Sequence, residues 1–205
     1  MRVPLKLRFY YFLSYFFQKT KTSNFSIDTP KNIRDGEEFP IKNLEIFLKE
    51  NDFEINNLIF KQFPSGYSNL TYFLKSSSKE FVLRRPPFGA KSLKGGHDML
   101  REYNVLKNLK SQFNKVPKVH LYCDDDDIIG APFYIMDRVE GYIIRPNLQE
   151  QDSPGEEVIR NVSDSLVSTL VELHNVDINE ANLNNLGKID GYVKRQVEGW
   201  IKRYN

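Results

Sequence analysis

Phe81-Val82-Leu83-Arg84-Arg85-Pro86-Pro87 is the stretch on which the reading of this chain turns. Its aromatic, branched and long side chains suit a β-strand, and the two prolines end it. Side chains alternate along a strand, so Val82 and Arg84 share one face while Phe81, Leu83 and Arg85 share the other. A small apolar residue with a cation two places on is the pair that a nucleotide-holding strand needs, one under a base and one at the phosphates. Arg85, on the opposite face, reads as a charge at the surface or towards the helical part of the chain.

Working upstream, strand-like runs at 58–63 and 70–75 precede it. Pro64-Ser65-Gly66 and Ser76-Ser77-Ser78 supply the turns between them, so the three runs read as an antiparallel meander. The first turn continues through Tyr67-Ser68-Asn69. One glycine and two hydroxyl residues at such a turn can aim backbone N–H groups at phosphates. Taken alone the residues read better as an ordinary hairpin turn, and a single glycine does not match the G-x-G-x-x-G pattern. Further upstream, Pro40 followed by Ile41, Leu44, Phe47 and Leu48 predicts a short amphipathic helix.

Downstream, Met99, Tyr103, Leu106 and Leu109 fall on one face of a helix expected to begin near Gly96. Glu102 on that helix either pairs with the strand cation and fixes its position or faces solvent. Strands at 119–123 and 132–136 then frame four aspartates, 124 to 127. The glycine and distal glutamate of a calcium loop are missing, so the acidic run reads as a solvated hairpin tip. Phe133-Tyr134-Ile135-Met136-Asp137-Arg138-Val139-Glu140-Gly141 is a strand that becomes a linker, offering backbone groups to an adenine edge.

After Gly141 the texture is helical. Ser153-Pro154-Gly155-Glu156 has capping-box spacing, and Val158, Val162, Leu166, Leu170 and Leu173 form one stripe down to His174. A last helix from about Tyr192 carries Val193, Val197, Trp200 and Ile201. With nothing after it to cover that apolar face, the end of the chain reads as cut.

The 205 residues are 40% hydrophobic and 27% charged, which suits packed globular structure rather than disorder. A net charge of +2 makes no case for a nucleic-acid or membrane partner. The single cysteine, Cys123, excludes an intramolecular disulfide framework and reads as a buried thiol in a reducing, cytoplasmic setting. Residues 1–26 contain no Asp or Glu and carry a basic, aromatic run too short for a bilayer span of about 20 residues. They read as a disordered extension or an early start, with an organelle presequence as the alternative.

Five β-segments with a helix after the third, then helices, is the order of a kinase-type nucleotide lobe. The residues from 63 to 141 resemble the aminoglycoside phosphotransferase family, and the branch related to kinase-like domains fused to acyl-CoA dehydrogenases in particular. The resemblance is carried by Phe-Val-Leu-Arg-Arg-Pro-Pro, His97-Asp98-Met99-x-Arg101-Glu102-Tyr103, Ile129-Gly130-Ala131-Pro132-Phe133-Tyr134-Ile135-Met136 and Val139-Glu140-Gly141. It extends upstream through Arg34-Asp35-Gly36-Glu37-Glu38 and downstream to Gly191-Tyr192-Val193-Lys194-Arg195-Gln196.

The resemblance implies an α+β, protein-kinase-like fold. Residues 27–140 would form a five-stranded antiparallel nucleotide-binding lobe with one helix, and 141–205 the start of an α-rich second lobe. It implies ATP- and Mg²⁺-dependent phosphorylation of a hydroxyl on a small molecule, of hydroxyacyl type in the nearest branch. Ser65, Gly66, Ser68 and Asn69 would lie over the phosphates, with Val82 under the base. Arg84 would hold the phosphates and Glu102 would pair with Arg84. Met136 would flank the adenine pocket, and Asp137 and Val139 would present backbone groups to the base. The family uses Lys where Arg84 stands, a replacement that keeps the charge but not the shape.

Family members carry a His-Gly-Asp catalytic loop and a later metal-binding Asp, and the 205 residues contain no His-Gly-Asp. His174-Asn175-Val176-Asp177, with Asn182 and Asp190-Gly191, imitates such a site but has His174 one residue too far from Asp177. The expectation is therefore a nucleotide-binding portion without catalytic residues or metal ligands, inactive by itself. A non-catalytic regulatory module and a truncated gene product without function are the alternatives.

Overall fold

The computed structural model describes residues 29–53, 55–64, 68–89, 97–141, 155–187 and 190–204. The extension at 1–26, Ser65 and Gly66 of the first turn, Gly96, and Ser153-Pro154 of the capping box lie outside these residues. The elements run α1 (Ile41–Glu50), β1 (Ile59–Gln62), β2 (Leu70–Ser76), β3 (Lys79–Arg85), α2 (Met99–Leu109), β4 (Val119–Cys123), α3 (Asp126–Ile129), β5 (Phe133–Asp137), α4 (Glu156–His174) and α5 (Tyr192–Tyr204). A 3₁₀ turn, Asn184–Leu186, lies between the last two. The fold is α+β, with a five-stranded antiparallel sheet in the order β1-β2-β3-β5-β4. The chain forms two compact units. The larger is built from Pro30–Val139 and the segment that starts at Val171, and the smaller holds α4 as far as Leu170.

Two faces of the sheet have different jobs because strand side chains alternate. Leu70, Tyr72 and Leu74 of β2, Phe81 and Leu83 of β3, and Phe133 and Ile135 of β5 point to one face. There they bury against Leu44 and Leu48 of α1 and against Ile129 of α3. Burial of each such side chain is worth about 1.5–3 kcal/mol. Phe39 meets Tyr72 edge-on at 5.0 Å, and Phe53 meets Phe81 at 4.8 Å. Phe73, Val82 and Met136 point to the other face, where they pack with Phe63.

Arg85 corrects one expectation. It faces the α1 side as alternation requires, but only 1% of it is exposed. That face is covered by helices, so a side chain pointing there enters the core. Its guanidinium donates from Nη1 to the carbonyl of Ile129 at 2.7 Å and from Nε to that of Pro86 at 3.1 Å, and lies 3.9 Å from the Phe88 ring centre. Burial pushes the Arg85 pKa down, opposed chiefly by the neighbouring Tyr72.

The acidic run is corrected as well. Asp125 accepts from the Asp127 N–H at 2.8 Å and starts α3, with Asp126 and Asp127 in its first turn. Gly130, at φ +81°, closes the helix in the left-handed region. Carboxylates at a helix N-terminus meet the positive end of its dipole, so the run starts a helix instead of tipping a hairpin. Cys123 is buried, and burial raises its thiol pKa. No helix among the described residues is long and apolar enough to cross a membrane.

Candidate functional site

The face that carries Val82 and Arg84 holds the candidate site. The Arg84 position follows from the β2–β3 hairpin, whose register sets Phe73 opposite Val82 and Thr71 opposite Arg84. Strand β5 lies on the other flank, with Met136 opposite Val82 and Tyr134 opposite Arg84. Three neighbouring strands therefore place their same-face side chains in one row. Helix α2 crosses this row, its start fixed by Asp98, which accepts from the Arg101 N–H at 2.9 Å. This cap is worth about 1 kcal/mol.

Between α2 and the sheet is a cleft of about 520 Å³, lined by Arg84, Arg101, Glu102, Leu106, Tyr134 and Met136 among others. Glu102 Oε2 lies 3.3 Å from Arg84 Nε and accepts from the Tyr134 hydroxyl at 3.0 Å. Its Oε1 accepts from Asn69 Nδ2 at 2.8 Å. Asn69 Oδ1 in turn sits 2.7 Å from His97 Nδ1. Burial lifts the Tyr134 pKa well above the ordinary phenol range; Arg84 opposes the shift and Glu102 adds to it. The hydroxyl is thus held as a donor to Glu102.

The guanidinium of Arg84 is not used up by this pair. The ion pair is made through Nε, and the side chain as a whole is 31% exposed beside the cleft, so the rest of its five-donor fork is left to it. A cation fixed on one side by a carboxylate, with donor capacity left over in a cleft, suits an anionic ligand.

Beside it, Phe63, Phe73, Val82 and Met136 make an apolar wall. Arg138 lies over that wall, its guanidinium 5.0 Å from the Phe73 ring centre and 5.8 Å from that of Phe63. Glu80 holds Arg138 at 2.5 Å and also binds Lys75 at 3.0 Å. The hydrogen bond from Lys75, then that from Arg138, draws the Glu80 pKa below its ordinary value.

The sequence-predicted residues are thus distributed unevenly. Arg84, Glu102 and Met136 line one cleft, and Val82 adjoins it. Ser68 is exposed at the end of the first turn. Asn69 is 6% exposed and its amide is engaged at both ends. The Asp137 N–H donates to Lys118 at 2.8 Å and that of Arg138 to Glu80 at 3.2 Å, whereas Val139 is 71% exposed. The Asp137 side chain turns to the core face and meets His120 Nε2 at 2.6 Å.

Sequence reasoning gave His97, Tyr134 and Arg138 no role. Asn69 and His97 are 28 residues apart, so local patterning had no signal for them. The imitation catalytic loop has a structural role. Asp177 Oδ1 accepts from the N–H groups of Asn179 at 2.8 Å and Glu180 at 3.1 Å, closing a turn after α4. No cluster of three or more His, Cys, Asp or Glu side chains placed to hold a metal occurs among the described residues.

Comparison with known proteins agrees with this fold. Residues 59–205 match the model of the phosphotransferase enzyme family, which includes the aminoglycoside phosphotransferases. Acyl-CoA dehydrogenase family member 11 of Rattus norvegicus is 40% identical over 171 residues, and its Homo sapiens counterpart 36%. Each alignment takes in 81% of this chain but 22% of the relative, so the chain spans about a fifth of their length. A Ralstonia eutropha protein solved as an assigned aminoglycoside phosphotransferase superposes with a TM-score of 0.63 at 30% identity, over 82% of this chain and 47% of that one. Shared sequence over most of the chain and a shared fold make it a member of the phosphotransferase enzyme family of aminoglycoside phosphotransferase type.

Proposed function

We propose that this chain is the nucleotide-binding part of a small-molecule kinase that phosphorylates a hydroxyl group from ATP. The observation that carries the reading is Arg84. It is a cation anchored through Nε by Glu102 and still 31% exposed at the edge of a cleft. ATP fits these residues. Arg84 would take phosphate oxygens, the turn from Ser65 to Ser68 would cover them, and Val82, Met136 and Phe73 would bound the base. With the N–H groups of Asp137 and Arg138 spent in the sheet, Val139 is the linker residue left to donate to a base edge. Asn69 serves by holding Glu102 rather than by touching phosphate.

Mg²⁺ is a different matter. Among the described residues no cluster of carboxylate, His or Cys side chains is placed to hold it. In phosphoryl transfer the protein mainly positions the groups and stabilises charge, and a catalytic Asp orients the attacking hydroxyl. The 205 residues hold no His-Gly-Asp, so this chain binds nucleotide without turning it over. Likeness to acyl-CoA dehydrogenase family members points to an acceptor that carries an acyl group. A non-catalytic nucleotide-binding module is the second reading, and the anchored cation beside the cleft serves it equally.

Thermal unfolding with and without MgATP tests the proposal. At a ligand concentration of 100 times Kd the stabilisation is about 2.7 kcal/mol. Arg84→Ala is expected to remove most of it, and no ATP hydrolysis is expected in the parent chain or in Asp177→Ala. An unchanged melting temperature with saturating MgATP overturns the reading.

A further inference from the structure

We infer that His97 is a positioning residue for the Arg84–Glu102 pair and acts through the amide of Asn69. The order of donors and acceptors along this line leaves little choice. A carboxylate only accepts, so the group that Asn69 turns to Glu102 Oε1 at 2.8 Å is its NH₂. Its carbonyl oxygen therefore faces His97 Nδ1 at 2.7 Å, and because a carbonyl only accepts, Nδ1 must carry hydrogen. A bare Nδ1 would set two acceptors against each other. The buried amide would then turn over and press its oxygen on Glu102, losing the donor and adding repulsion. One proton on His97 thus decides which way Asn69 points, and Asn69 decides whether Glu102 is held from both oxygens.

The placement of the two residues adds to the argument. Asn69 stands immediately before β2, at the end of the first turn, and His97 stands immediately before Asp98, the cap of α2. The hydrogen bond between them ties the start of β2 to the start of the helix that carries Glu102. Tyr134 holds the other oxygen of Glu102 from β5. The carboxylate is therefore fixed from three segments, and Arg84 is aimed by it. Asn69 is 6% exposed, so water is a poor substitute for either bond.

The consequence for binding rests on the proposed nucleotide site; the proton on Nδ1 does not. A two-bond ¹H–¹⁵N spectrum of the 205-residue chain reads the His97 tautomer directly, with Nδ1 protonated as the expected result. Two variants of similar shape then separate donation from packing. His97→Asn places an amide NH₂ where Nδ1–H was, and His97→Leu places a methyl there. His97→Asn is expected to keep the Kd for MgATP within about twofold, and His97→Leu to raise it about tenfold, the equivalent of about 1.4 kcal/mol. A bare Nδ1 in the parent chain, or equal losses in the two variants, overturns the inference. Should the parent chain not bind MgATP, the nucleotide reading fails. The tautomer, and the Asn69 side-chain amide shifts in His97→Leu against His97→Asn, still decide the role of His97.

Discussion

Arg84 and Arg85 are adjacent and identical, yet the sheet sends them into opposite environments. Arg84 lies beside a carboxylate at the edge of a cleft, and Arg85 spends its donors on two carbonyls in the core. Their substitutions should therefore differ in kind. Arg85→Met leaves the Ile129 and Pro86 carbonyls unsatisfied and is expected to cost about 1–3 kcal/mol in urea unfolding. Arg84→Met, at a partly exposed pair, should cost no more than about 1 kcal/mol while abolishing nucleotide binding. Alternation along 81–85 sorted these two residues by face without help from the structure. It did not reveal that the second face is covered, because α1 and α3, which cover it, lie far away in the chain. For the same reason Glu102 was legible as a partner for Arg84, whereas Asn69, His97 and Tyr134 emerge only when three distant segments meet.

Among elements, α3 shows how local chemistry was misread. Charge density drew the reading of 124–127 towards a solvent-exposed tip, although Asp125 has capping chemistry and Gly130 follows the apolar pair Ile128-Ile129 at helix-ending position. Nothing lies within 4 Å of a Cβ built on Gly130, so crowding adds nothing at this site. Gly130→Ala should then cost about 1–2 kcal/mol from the left-handed backbone alone, and Asp125→Ala about 1 kcal/mol from the lost cap. Chemical denaturation of both variants checks the pair; a neutral Gly130→Ala would show that the turn relaxes. Strands and longer helices were easier. Their apolar periods are regular, and ends moved by two or three residues at most, as with β3, which begins at Lys79 instead of Phe81, and α2, which begins at Met99 instead of near Gly96.

At the scale of the whole molecule, stability should fall in alkali. Tyr72 is buried and donates to the Glu37 carbonyl at 2.8 Å, and burial raises its pKa from 10.0 to about 12. A raised folded pKa means that the stabilisation is complete below pH 10 and is lost as pH climbs towards about 12. Tyr72→Phe should flatten that loss in melting temperature measured across this window. The sheet that buries Tyr72 on one face carries Arg84, Val82 and Met136 on the other, so one scaffold both makes the core and presents the site. The central claim is that this second face takes ATP, and mapping backbone amide shifts in ¹⁵N-labelled chain during an ATP titration tests it most directly. The account predicts saturable changes at Val82, Arg84, Met136 and Val139, absent in Arg84→Ala. Changes confined to the α1 face, or none at millimolar ATP, would contradict it.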